Sequence, residues 1–160
     1  MKILFYEWES YLQYDIKWIC RELQISLTTF SWKFIDKNED EQFEKWFAES
    51  VDASKFDAIL SVNYWPMLSK VAQKNDIKYI AWCYDNPLNV ICPEDTLGNS
   101  VNAVFFFDRI QAAKYINAGF DTVHYLPLGV NVNRYKKMNL SDEARRCYGA
   151  DVALVGSLYE

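Results

Sequence analysis

Short, nearly unbroken apolar runs such as Tyr79-Ile80-Ala81-Trp82-Cys83 and Val104-Phe105-Phe106-Phe107 constrain this chain more than any other feature. A strand with one wet face alternates apolar and polar side chains. A strand apolar at every position is covered on both faces, which is the habit of parallel strands under helices. Such runs recur at 3–6, 26–30, 57–62, 78–83, 102–107, 122–126 and 152–156. Segments of helical period separate them, as where Leu12, Ile16, Ile19, Cys20 and Leu23 share one face. Helix punctuation accompanies the pattern. Ser10-x-x-Gln13, Asn38-x-x-Glu41 and Asp108-x-x-Gln111 offer capping boxes, and Asn63 precedes a Pro66 placed for a first helical turn. Gly119 sits where a left-handed C-cap would close a helix, and Ser141 opens one with acid at its start and base at its end. The expected fold is therefore α/β, a Rossmann-like, doubly wound, mostly parallel sheet of about six strands with helices on both faces.

Charge and composition narrow the function classes. The net charge is −5 with pI ≈ 5.0, which offers no basic field for a nucleic-acid backbone. The acidity is local: Asp36, Glu39, Asp40, Glu41, Glu44, Glu49, Asp52 and Asp57 face only Lys37, Lys45 and Lys55 within 34–57. This segment reads as a solvated helix face or as an acidic docking patch. Cys20, Cys83, Cys92 and Cys147 show neither C-x-x-C nor metal-ligand spacing, and the expected compartment is a reducing cytoplasm. No apolar run approaches the length of a transmembrane helix, and Glu7 interrupts the amino terminus too early for a signal peptide. Glycine-rich dinucleotide and phosphate loops are absent, as is a nucleophile elbow. No cofactor and no metal are expected.

In an open parallel sheet, ligands bind beyond the carboxyl ends of the strands. The residues there read Glu7-Trp8-Glu9-Ser10, Asn63-Tyr64-Trp65, Tyr84-Asp85-Asn86-Pro87, Asp108-Arg109 and Pro127-Leu128-Gly129-Val130-Asn131. Carboxylates, amides and large rings are interleaved, in a chain that is 17% aromatic. Such an edge suits a sugar, whose hydroxyls seek polar partners while its C–H faces stack on rings. Ser10, Asn63 and Asp108 read first as helix caps. Asp85 reads either as a general base or as the residue of an Asx-turn that Pro87 fixes. Glu7 and Glu9, flanking Trp8, read as hydroxyl-positioning acids or as surface residues.

The segment Tyr125-Leu126-Pro127-Leu128-Gly129-Val130-Asn131-Val132-Asn133-Arg134-Tyr135 resembles the one that closes the first domain of GT-B glycosyltransferases. Asp151-Val152-Ala153-Leu154-Val155-Gly156-Ser157 resembles the strand by which those enzymes enter a second domain. More narrowly, Lys2-Ile3-Leu4-Phe5, Trp82-Cys83-Tyr84-Asp85-Asn86-Pro87 and Asn117-Ala118-Gly119-Phe120 resemble the amino-terminal domain of CgeB-like spore-maturation proteins, over nearly the whole chain. The resemblance implies an acceptor-side domain over 1–130, an interdomain linker and helix over 131–150, and the first strand of a truncated second domain over 151–160. It implies an enzyme that moves a sugar from a nucleotide-sugar donor to a hydroxyl acceptor, the donor being held mainly by the second domain, so that the chain alone would be inactive. Asp85 would then deprotonate the acceptor. Glu7, Trp8, Glu9, Asn63, Tyr64, Trp65 and Asn86 would bind it, and Gly129 and Asn131 would form the hinge. Where relatives place a glycine-rich loop beside the donor phosphate, this chain has Glu7-Trp8-Glu9, whose acids would repel a diphosphate and suit an acceptor instead. The rival expectation is a non-catalytic α/β ligand-binding or protein-interaction module.

Overall fold

In a computed structural model that describes residues 1–154, the apolar runs form one six-stranded, all-parallel sheet of order β2-β1-β3-β4-β5-β6. The strands are β1 Lys2–Tyr6, β2 Ser26–Phe30, β3 Ala58–Val62, β4 Lys78–Cys83, β5 Asn102–Phe106 and β6 Val123–Tyr125. The helices are α1 Gln13–Glu22, α2 Glu41–Ser50, α3 Pro66–Lys74, α4 Glu94–Leu97, α5 Arg109–Asn117 and α6 Asp142–Tyr148. Register is continuous across the centre, with Tyr6 opposite both Phe30 and Ser61, and Cys83 opposite Phe106.

Helices lie on both faces of the sheet, but α1 alone packs on one of them, at the β2, β1 and β3 end. Along β4 and β5 burial alternates, with Ile80, Trp82, Ala103 and Phe105 half-buried on that face. The two-sided burial expected from these apolar runs is therefore corrected. On one face Phe5 and Val62 pack with Ile16 and Cys20 of α1. On the other, Tyr6, Ile59, Tyr79, Val104 and Phe106 pack with Phe43 and Phe47 of α2, Leu68 of α3, Leu97 of α4 and Tyr115 of α5. The chain leaves β1 for α1 on the first face and leaves β3 for α3 on the second. The loops after these neighbouring strands therefore diverge and open a crevice between them.

The helix ends match the sequence reading at some positions and depart from it at others. Asp108 accepts from the Gln111 N–H at 2.7 Å and Ser141 from the Ala144 N–H at 3.1 Å, both as expected. Gly119 adopts φ +93° just past α5, a backbone that favours glycine. The capping boxes at Ser10 and Asn38 do not form. Helix α1 follows Leu12 without a side-chain cap, because a turn in which the Gln13 N–H bonds the Ser10 carbonyl precedes it. Helix α2 is capped by Asp40, two residues beyond Asn38. Pro66 does open α3, but Trp65 stands at its N-cap position and Asn63 is engaged elsewhere.

The chain divides into two compact units, one spanning Met1–Gly129 and one beginning at Val130. In the second, Asn131 Oδ1 accepts from the Asn133 and Arg134 N–H groups and starts a turn before α6. Gly129, the last residue of the first unit, has no left-handed φ, and a Cβ there would meet nothing within 4 Å. Residues 151–154 form no strand, and the rest of the expected 152–156 run lies outside the described residues. No helix among the described residues is long and apolar enough to cross a membrane. Cys20, Cys83, Cys92 and Cys147 are free thiols, the first two buried.

Candidate functional site

The crevice at the β1/β3 divergence is built on a buried hydrogen-bond network. Ser61 Oγ donates to the Asn63 carbonyl at 2.7 Å, so its oxygen accepts from the Tyr79 hydroxyl at 2.8 Å. Tyr79 in turn accepts from the Trp65 N–H at 3.0 Å. Two residues of the loop after β3, Asn63 and Trp65, are thereby tied to two central strands. Burial pushes the Tyr79 hydroxyl well above its ordinary titration range, so it stays a neutral donor. It likewise pushes the Tyr64 hydroxyl up to about 12.

Asn63 takes φ +60°, a conformation that asparagine tolerates better than most side chains. That geometry swings its amide across to the end of β4. Oδ1 accepts from the Tyr84 and Asp85 N–H groups at 2.9 and 3.3 Å, and Nδ2 donates to Asp85 Oδ2 at 2.6 Å. Asn63 is therefore not a helix cap but a clamp between two strand ends. Asp85 is half-buried and lines a small cavity with Trp8, Lys37, Trp65 and Leu88. Its Oδ1 has no hydrogen-bond partner among the described residues, and the expected Asx-turn does not form, because the residue two positions on, Pro87, has no N–H to give the carboxylate.

Trp8 and Trp65 both donate their indole N–H to the carbonyl of Val62, at 2.7 and 3.1 Å. That carbonyl ends β3, and the two donors fix both rings over the strand end. Trp65 is 9% exposed and enclosed by Tyr6, Trp8 and Phe34, with the Lys37 ammonium 5.2 Å from its ring. It supports the site more than it faces it. Trp8 is half-buried, stacks on Tyr84 at 6.3 Å, and borders an open cleft of about 610 Å³ with Glu7, Glu9, Trp32, Phe34 and Lys37.

Trp32, Phe34 and Lys37 were not expected from sequence. They lie in the loop after β2, where the neighbouring acids dominate the reading. The signal available was their position at a strand's carboxyl end, the same argument that selected Trp8. Lys37 donates to the Asn89 carbonyl at 2.7 Å and so ties this loop to the one after β4. Below the loop, Phe30, Trp32, Phe34, Phe43 and Trp46 form a continuous cluster of ring contacts. Much of the aromatic excess is thus core that carries the cleft wall. Burial opposes ionisation of Asp40 here, but hydrogen bonds from the Phe43 N–H, the Trp32 indole and the Ile35 N–H outweigh it and hold the carboxyl low.

The other expected residues are placed as follows. Glu7 forms an ion pair with Lys17, and Glu9 is exposed on the rim at φ +66°. Tyr64 is 1% exposed, lines the small cavity beside Asp85, and donates its hydroxyl to Thr96 Oγ1 in the core. Asn86 is exposed and lines a separate cleft on the other side of the 86–90 segment. The acids of α2 are on a solvated face, where Glu44 pairs with Lys74 and Glu49 with Lys45. No cluster of three or more metal-ligating side chains occurs among the described residues. Comparison with family models, curated proteins and solved structures returned no match.

Proposed function

We propose that this chain binds the acceptor of a glycosyl transfer in the β1/β3 crevice, as the amino-terminal domain of a glycosyltransferase. The observation that supports it is the pairing of a half-buried ring, Trp8, with a half-buried carboxylate, Asp85, whose Oδ1 has no partner among the described residues and whose Oδ2 is held by Asn63. A pyranose ring stacks its C–H face on the indole, and one of its hydroxyls meets the carboxylate. In an inverting transfer, Asp85 takes the proton of that hydroxyl as its oxygen forms a bond to the anomeric carbon. The bond from that carbon to the nucleotide diphosphate breaks, and its electron pair leaves with the diphosphate. Asn63 is a positioning residue: it holds Oδ2 and leaves Oδ1 for the substrate. The resemblance to GT-B enzymes assigns the donor to a second domain.

The test is a titration of the chain with small β-glycosides, read on the indole N–H signals by two-dimensional NMR. The Trp8 signal is expected to shift with dissociation constants on the order of 1 mM, as suits a single stacked ring. Trp8→Ala abolishes the accompanying shift of the neighbouring Trp65 indole signal. Silence of every indole across the sugar panel would remove the reading.

A further inference from the structure

Asp85 lines a cavity of about 60 Å³ and is absent from the lining of the neighbouring cleft of about 610 Å³. Trp8, Lys37 and Trp65 line both. A sugar ring stacked on Trp8 therefore lies at the margin of the small cavity, and only a group projecting from that ring enters it. Asp85 Oδ1 is open to such a group. The unpartnered side-chain atoms that are sealed from solvent among the described residues are Trp82 Nε1 and Gln111 Oε1, not this oxygen.

The dimensions decide what can project. A volume of about 60 Å³ is the share of about two waters, or of two non-hydrogen atoms with their hydrogens. A ring hydroxyl brings with it its ring carbon and that carbon's two neighbours, about four such atoms in all. A hydroxymethyl arm, one methylene and one hydroxyl, matches the space and carries its oxygen a carbon further from the ring. The lining matches it as well. Trp8, Trp65, Leu88 and Val90 offer apolar surface to the methylene. Asp85 Oδ1 needs a donor, and the Lys37 ammonium has N–H groups beyond the one it gives to the Asn89 carbonyl at 2.7 Å. A neutral hydroxyl can donate to the first and accept from the second. A carboxylate arm would be repelled by Asp85, and an ammonium arm by Lys37.

We infer that the Asp85 cavity is a pocket for the hydroxymethyl arm of the acceptor sugar, so that the primary hydroxyl is the group glycosylated. The inference rests on the acceptor reading above and adds which hydroxyl reacts. Its proton passes to Asp85 Oδ1 as its oxygen bonds the anomeric carbon of the nucleotide sugar. The nucleoside diphosphate leaves with the electron pair of the broken bond. Leu88 and Val90 keep the pocket too narrow for a ring hydroxyl.

The test titrates the chain with three glycosides. Methyl β-glucopyranoside carries the arm, methyl β-xylopyranoside lacks it, and methyl 6-deoxy-β-glucopyranoside keeps its carbon without its oxygen. Binding is read on the Trp8 indole signal, and entry to the pocket on the side-chain amide of Asn63, whose Nδ2 donates to Asp85. The glucoside is expected to bind about tenfold more tightly than either analogue, the scale of one hydrogen bond to a charged group, and alone to shift the Asn63 amide. In Leu88→Phe, which narrows the pocket, the ratio falls to about one. Equal affinities with a responding Trp8 and a silent Asn63 overturn the pocket and leave the acceptor reading intact. Silence of Trp8 towards all three glycosides overturns both. A deoxy glycoside as tight as the glucoside overturns the contact between the hydroxyl and Asp85. A tenfold preference that survives in Leu88→Phe overturns the placement of the arm in this cavity.

Discussion

Replacing Asn63 probes the joint on which the site is built. Asn63→Ala removes two hydrogen bonds to backbone N–H groups and one to a carboxylate, of which the Asp85 N–H bond at 3.3 Å is the weakest. At about 1 kcal/mol for the Tyr84 bond, half that for the Asp85 bond and about 1.5 kcal/mol for the carboxylate, the loss is about 3 kcal/mol. The φ of +60° adds about 1 kcal/mol for alanine, giving about 4 kcal/mol in all. Asn63→Gly relieves the backbone part alone and is expected to cost about 3 kcal/mol. Urea unfolding followed by tryptophan fluorescence measures both, and the difference between the variants isolates the backbone. An Asn63→Ala loss below about 1 kcal/mol, or an Asn63→Gly protein as stable as wild type, would refute the clamp.

Asp40 makes three hydrogen bonds that hold its carboxyl low, so its stabilisation is complete above the ordinary carboxylate range and is lost as pH falls through the lowered value. Asp40→Ala is expected to cost about 2 kcal/mol at pH 7 and to flatten that acid limb in pH-dependent urea melts. Burial raises Tyr6, Tyr64 and Tyr79, so the folded state retains protons that the unfolded state loses. Stability is therefore full below the ordinary tyrosine value of about 10 and falls as pH rises towards 12, with tyrosinate absorbance appearing on unfolding. Gly119→Ala meets no atom within 4 Å yet must hold φ +93°, so thermal melts should show a cost of about 1 kcal/mol without change in the site.

The six strands were legible because runs of strand length lie between helical periods. The runs at β4 and β5 overstate the burial, which is complete on one face only, and edge strand β2 has no fully buried residue. The β3 run begins one residue early against Ala58–Val62, and the β5 run ends one late against Asn102–Phe106. Caps were legible only where local chemistry decides them. Asp108 and Ser141 obey the local rule, whereas Asn63 fits it and is claimed instead by Tyr84 and Asp85, some twenty positions on. The site was legible as an edge, since Trp8, Asn63 and Asp85 follow from strand ends. Its depth was not. Tyr64 and Trp65 are adjacent to Asn63 in sequence, but Tyr64 turns into the core and Trp65 sits behind Trp8, because the Tyr79 and Thr96 side chains draw this loop inwards. Lys37 and Trp32 reach the cleft through the fold of the 31–40 loop, which leaves no periodic trace.

The most direct test of the account is glycosyl transfer by the full-length protein, wild type against Asp85→Asn. Release of nucleoside diphosphate from UDP-glucose, UDP-N-acetylglucosamine and GDP-mannose would be measured with and without sugar acceptors. Acceptor-dependent release by the wild type is expected. Asp85→Asn is expected to lower kcat by at least about a hundredfold, the scale of a lost general base, with acceptor KM changed only a few-fold. Equal rates in the two proteins would contradict this role for Asp85.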